Sequence, residues 1–529
     1  MMPERTPTEP EPQTDAEGRP DLRAARVVAV GMTASKPTGY VRDALLAARF
    51  GTGRAMDAYT LASTTAFAAF DIIGTPLQRV LVPVLVAARQ RRGRAGMEQT
   101  ATAVLWTAVA ASLVLGLILL FGAGPLAAVL AGHGALAPAT AALLRWLALL
   151  PVLLSLSAVA TAWLQAGEHF TLPSFTGLPL DMSIIAFVLF AGHHGVLAAA
   201  WGLVVGTSLQ YLLQWPGLLY HGRRTAAPTR AVTRDPGLQA TAGMVLPLLI
   251  SVGAVQGGTL LEQGLAARLA VGTLAALGFA RRVLDLPSAV FTLPVTTVSL
   301  PRLASLAGGT DAARAPRALG ETAWVLASAL VPCALLLALL RAPLAAALYE
   351  HGAFGTHSVS AMSLALLGLA PGVLTWGMQQ LYRTYFYSRQ DPLTPMRWDL
   401  VALAINAAVD LLTYRQLGQF GLGLGWSLAV GVAWWGMARQ VRRESGRGEL
   451  WPLRGIALGG VALLAGALAV RAVVPHLPLS PWENGAVVVA AAGLAGAVAY
   501  VCGVLLGGGA RLLQGLAGSR RAWGARPGA

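Results

Sequence analysis

Lys36, Arg42, Arg281 and Arg282 are among the cationic side chains that fall inside apolar stretches of this sequence, where ionisable groups are costly and usually serve a task. Lys36, Arg42 and Asp43 stand in "TASKPTGYVRDALLAARFG", and Arg281 and Arg282 are adjacent in "FARRVLDLP". At 1.5 Å per residue, Lys36 lies ~15 Å into a stretch that opens near 26, close to the middle of a bilayer. Arg281 and Arg282 lie at a similar depth in a stretch from a distant part of the chain. Pro37 and Gly39 weaken the helix beside Lys36, as in the broken helices of transport sites. Cations from two such segments, aimed at one cavity, suit a polyanion such as phosphate or pyrophosphate, because arginine grips phosphate with two parallel bonds. The competing reading is an internal salt-bridge network, with Asp43, Asp57, Asp71 and Asp285 as partners.

A second polar group comprises Glu262, Asn406 and Asp410. Asn406 and Asp410 are four apart and share one helix face. Oxygen-rich side chains at membrane depth suit a small hard cation, sodium, or a proton. The alternative is a hydrogen-bond clamp between helices. No P-loop, HExxH or CxxC pattern occurs, so no enzyme chemistry, cofactor or structural metal is expected. Cys333 and Cys502 have no partner at a useful spacing, and His193–His194 forms an isolated pair.

The elements that must position these residues are apolar. Of 529 residues, 55% are hydrophobic and 12% charged, and mean hydropathy is +0.61. A soluble domain carries about 25% charged residues and could not hide so many wholly apolar helices. Fourteen apolar stretches, near 26–49, 57–87, 101–130, 138–164, 171–192, 195–220, 241–262, 271–301, 319–348, 358–386, 396–414, 420–438, 453–475 and 484–508, predict an all-α polytopic membrane protein. Residues 1–24 read as a disordered polar tail, and no cleavable signal peptide is expected. The odd-to-even connections hold few cations: Arg54, Arg268, Arg415 and Arg471. The even-to-odd connections and the C-terminal tail are basic, with "RQRRGR" at 89–94, "GRRTAAPTRAVTR" at 222–234, "RQVRRESGR" at 439–447 and "GSRRAWGAR" at 518–526. This asymmetry predicts cytoplasmic N- and C-termini. It also accounts for the net charge of +15 without nucleic acid as a partner.

The chain repeats itself. "PLAAVLAGHGAL" begins at Pro125 and "PLAAALYEHGAF" at Pro343; Pro151 then matches Pro371, and Pro173 matches Pro395. His133 and His351 occupy equivalent positions, which marks them as relics of the repeat rather than ligands. Stretches 1–6 therefore correspond to 7–12 with the same orientation, which is the parallel-repeat design of transporters that rock two lobes about a central site. The expected division is a tail (1–24), an N-lobe (25–220), a cytoplasmic linker (221–240), a C-lobe (241–444), an additional helix pair (445–510) and a tail (511–529).

The segments "GYVRDALLAARFGTGRAMDAY", "LVPVL", "ALGFARRVLDLPSAVFTLPVTTVSLPRLA", "YEHGAF" and "YFYSRQDPLTP" resemble the MurJ/MviN lipid II flippases, within the multidrug/oligosaccharidyl-lipid/polysaccharide exporter superfamily. The resemblance covers nearly all of the chain after the tail. It implies a fourteen-helix inner-membrane carrier that moves undecaprenyl-pyrophosphate-linked muropeptide between leaflets by alternating access. Its partners would be lipid II, membrane lipids and the cell-wall synthesis machinery, with the lipid tail in a groove at the last two helices. It implies head-group contacts at Lys36, Arg42, Asp57 and Arg282, and a sodium site at Glu262, Asn406 and Asp410; Arg281, beside Arg282, joins the head-group candidates. The sequence departs from the family at four places. Lys36 stands for an arginine, and Phe70 and Asp71 occupy the stretch of an expected arginine. Arg281 stands for an acid, and Trp426, beside Ser427, stands for a hydroxyl. Two other readings follow from these departures: a carrier of another polyprenyl-linked glycan or of a drug, and a non-transporting cell-wall scaffold.

Overall fold

A chain that crosses lipid must satisfy every backbone N–H and C=O within itself, and the helix does so segment by segment. The computed structural model describes residues 37–132, 134–221, 236–307, 314–445, 453–473 and 481–504, and among these there is helix and no strand. Lys36, the tail 1–24, His133, the basic linker 222–234, Gly446 and Arg447 of the next basic connection, and the C-terminal tail lie outside the described residues.

The first half runs α1 (37–50), α2 (Arg54–Phe121), α3 (Ala123–Ala131), α4 (Leu136–Leu147), α5 (Leu150–Ala166), α6 (Thr171–Ser174), α7 (Gly177–Phe190), α8 (Val196–Leu212) and α9 (Trp215–His221). The second half runs α10 (Pro236–Ala266), α11 (Thr273–Pro287), a π-helical turn (Ser288–Thr292), α12 (Leu293–Ala307), α13 (Ala315–Leu339), α14 (Arg341–Tyr349), α15 (Thr356–Ser388) and α16 (Leu393–Ser445). The last pair is α17 (Leu453–Val473) and α18 (Pro481–Val504). Each of the fourteen apolar stretches carries helix. The 68 residues of α2 amount to ~100 Å of helix in total, too much for one crossing. α2 breaks at Gly93, whose φ of 68° ends one crossing and begins the next. α16 breaks in the same way at Gly418.

The repeated strings fold alike. α3 and α14 are both nine-residue helices set off by a kink. At each kink the amide, of Gly122 or Leu340, still donates to the carbonyl four residues back. Further on, Glu168 and Gln390 stand five residues before the matched prolines, and both hold a left-handed backbone, with φ of 68° and 58°. In the second copy, Asp391 then accepts the Leu393 and Thr394 amides at 3.1 Å and starts α16. Burial alone would raise the Asp391 carboxyl, but bonds from Thr394 and Leu393 and the charge of Arg389 hold it below the usual carboxylate range.

Packing relies on small side chains, as membrane helices do when lipid supplies no hydrophobic drive. Ala47, Ala58, Ala62 and Ala66 are fully buried where α1 and α2 enter the core. The outer surface is apolar instead: Phe121, Phe190 and Leu412 are each more than 70% exposed, which suits hydrocarbon and not water. α17 and α18 pack on each other and against α13 and α14. There Gly485 lies so close to α14 that a Cβ would meet the Pro343 carbonyl oxygen at 2.7 Å.

Candidate functional site

α1 enters the core with Arg42 turned towards two carboxylates. Its Nε donates to Asp43 Oδ1 at 2.9 Å and its Nη1 to Asp181 Oδ1 at 2.6 Å. Asp181 comes from α7 and also accepts the Thr38 hydroxyl at 3.1 Å. The approach of α1 to α7 needs Gly39, where a Cβ would already lie 3.3 Å from Asp181 Oδ2. From the other half of the chain, α11 brings Arg282, which pairs with the same Asp43 oxygen. One buried carboxylate thus joins an arginine from each half of the chain. Both carboxylates are nearly sealed from solvent, whereas the Arg42 and Arg282 side chains keep 21% and 35% of their exposure. Beside them Tyr40, Phe279, Tyr349 and Phe354 form an aromatic cluster with centroids 5.2–6.1 Å apart. It excludes water on that side and strengthens the electrostatics of the site.

The other sequence candidates divide. Asp57 lies at the start of α2 and serves backbone: its carboxylate accepts the amides of Gly272 at 2.6 Å and Ala275 at 2.8 Å. These are the first free N–H groups of α11, where a carboxylate is favoured by both hydrogen bonding and the helix dipole. Asp71 accepts Gln256 of α10 at 2.8 Å and Thr75 at 3.1 Å. Arg281 turns away from Arg282 and donates to both oxygens of Glu262 on α10, at 2.5 Å each. Its guanidinium lies 5.4 Å from the Trp426 ring centroid. Asn406 donates its amide to Asp410.

Beyond the aromatic cluster, one end of the bundle is shut by backbone contact between the halves. The Ala353 amide donates to the Ala48 carbonyl at 2.7 Å, and the Thr52 and Ser358 hydroxyls are 2.7 Å apart. Three glycines with positive φ make this approach possible. A Cβ on Gly51, Gly272 or Gly352 would sit 2.1–2.4 Å from a carbonyl oxygen across the contact. Towards the opposite end, the first half of the chain lines an open cavity of about 450 Å³ whose lining includes Gln78, Ser157, Thr161, Gln165, Thr176 and Gln210. All six are uncharged and hydrogen-bonding.

A sequence profile of the lipid II flippase MurJ family matches residues 46–495. This chain belongs to the lipid II flippase MurJ family. The lipid II flippase MurJ of Burkholderia cenocepacia is 26% identical over 433 residues, covering 78% of this chain and 81% of its own length. A probable lipid II flippase MurJ from Vibrio cholerae is 25% identical over 466 residues, covering 84% and 88%. Among solved structures, a lipid II flippase MurJ in an inward closed conformation superposes with a TM-score of 0.75 at 18% identity, covering 90% of this chain and 98% of that one. An inward-facing multidrug transporter of the MATE family matches with 0.67 at 14%, covering 80% and 98%. The chain is therefore an all-helical, multi-pass membrane protein with the fold of that solved MurJ structure.

Asp181 escaped the sequence reading. It is the one acid in the apolar run "GLPLDMSIIAFVLF", the same signal that singled out Arg42. The glycines of the closed end carried no such signal, because their role depends on what stands opposite.

Proposed function

We propose that this MurJ-family protein moves lipid II from the inner to the outer leaflet of the bacterial inner membrane, with both termini in the cytoplasm. The observation that carries the reading is the pairing of Arg42 and Arg282, one from each lobe, through Asp43. A pyrophosphate cannot leave water unless cations replace its hydration. Here two guanidiniums stand ready, held meanwhile by Asp43 and Asp181. An entering pyrophosphate competes with the two carboxylates for these guanidiniums. Because Asp43 ties one lobe to the other, that competition loosens the contact between lobes when the cargo is present. Lys36, four residues before Tyr40 in the sequence, supplies a third cation in this reading.

The remaining parts of the cargo find matching chemistry. The uncharged cavity lined by glutamines, threonines and serine suits the hydroxyls and amides of a sugar-peptide head group. The polyprenyl tail stays in lipid, along the helix pair 445–510, where Val461 and Leu494 face outward. The lobes, 25–220 and 241–444 with the linker 221–240 between them, rock about the cationic site. The end shut by Gly51, Gly272 and Gly352 is the outer end in the orientation set by the basic connections.

Expression in a bacterium depleted of its own lipid II flippase tests the reading. Growth and normal shape are the expected result. Lysis, with the protein present in the membrane at normal level, would rule the reading out.

A further inference from the structure

The family resemblance implies a sodium ion held by Glu262, Asn406 and Asp410. The geometry points to a different occupant: the guanidinium of Arg281 takes the place of the metal ion, so the C-lobe carries its own cation and needs no sodium. A hard cation requires several oxygens directed at one point with no competing positive charge among them. Both Glu262 oxygens are engaged by Arg281 at 2.5 Å, and Glu262 is buried. Asn406 turns its amide nitrogen, a donor, to Asp410. The other Asp410 oxygen faces Gly425, so closely that a Cβ there would lie 2.2 Å away.

The fourth side of the cluster is no more favourable to an ion. Trp426 stands where the family has a hydroxyl and presents its ring, 5.4 Å from the Arg281 guanidinium. Its neighbour Ser427 is buried and donates to the Gly368 carbonyl at 2.8 Å. A Cβ at Gly372 would meet both Trp426 and Ser427, at 2.2 and 2.8 Å, so this wall is tightly packed around the indole. Among the described residues no group of three or more histidines, cysteines or acids is arranged to hold a metal. A second cation placed here would face Arg281 at short range in a poorly screened interior, where like charges repel strongly. Arg281 and Trp426, at two of the four places that depart from the family, thus act together: one supplies the charge and the other holds its plane.

Thermal unfolding of the purified protein at constant ionic strength, in sodium chloride against choline chloride, tests this. The wild type is expected to melt at the same temperature in both salts. Arg281→Gln, which removes the resident charge and leaves Glu262 and Asp410 in place, is expected to gain a saturable upward shift in sodium. Arg281→Lys, which keeps the charge, is expected to stay insensitive. A saturable sodium-specific shift in the wild type would overturn the assignment, and so would a folded Arg281→Gln protein that ignores sodium. If Arg281→Gln does not fold, the wild-type comparison decides by itself. The readout needs no transported lipid, so its outcome is separate from that of the substrate reading.

Discussion

Arg282→Ala should abolish lipid II transport while the protein still accumulates in the membrane. The substitution removes the C-lobe's contribution to the cationic site and leaves Asp43 with Arg42 alone. A hydrogen bond to a charged group is worth about 1.5–3 kcal/mol, which corresponds to about 10- to 100-fold in affinity for the pyrophosphate. The loss in transport is expected to be larger, because one lobe no longer senses the cargo. Arg282→Lys should retain part of the activity, since it keeps the charge and loses the two-pronged geometry. Arg42→Ala should behave like Arg282→Ala, with the added effect of leaving Asp181 without its 2.6 Å partner. A purely structural ion pair makes a different demand: exchanging the charges in the double variant Arg282→Asp, Asp43→Arg would restore growth of the depleted strain. Failure of that exchange together with failure of Arg282→Ala is the result a pyrophosphate site requires.

Gly272→Val should hold the closed end open. Gly272 has φ of 90° and precedes α11, and a Cβ there would lie 2.1 Å from the Thr52 carbonyl oxygen. The left-handed backbone alone costs an L-residue about 1–2 kcal/mol, so the balance between closed and open forms should shift by about 5- to 30-fold. The two amides that bind Asp57 would move away with it. A cysteine in place of Ser358, which is 6% exposed, reports the change. It should resist an impermeant thiol reagent in intact cells when Gly272 is unchanged, and react in the Gly272→Val background. A cysteine in place of the exposed His357 should react in both backgrounds if, as proposed, this end is the outer one. Unchanged protection at position 358 in the valine variant would contradict the assigned role of the glycine.

The extent of each apolar run and the twofold repeat could be read directly, since hydrocarbon thickness fixes helix length and an internal repeat leaves its prolines in place. The left-handed turns at Glu168 and Gln390, inside the repeated strings, show how far that repeat reaches into the backbone. Arg42 and Arg282 were legible as costly charge. What a linear sequence could not supply was pairing across elements. The family resemblance makes Asp57 a head-group candidate, and only the structure shows its carboxylate accepting the α11 amides. Arg281 and Arg282 are neighbours in sequence, yet a helix places them about 100° apart, so one meets Glu262 and the other Asp43. Gly51, Gly272 and Gly352 acquire meaning only through the carbonyls they oppose.

Transport by the purified protein in liposomes tests the central claim most directly. Lipid II is placed in the inner leaflet, and its appearance outside is followed with an enzyme that acts only on exposed head groups. The account predicts that the wild type moves lipid II well above the rate of protein-free liposomes. It also predicts that Arg42→Ala and Arg282→Ala fall to the protein-free rate. Movement of lipid II at undiminished rate by the variant lacking both arginines would contradict it.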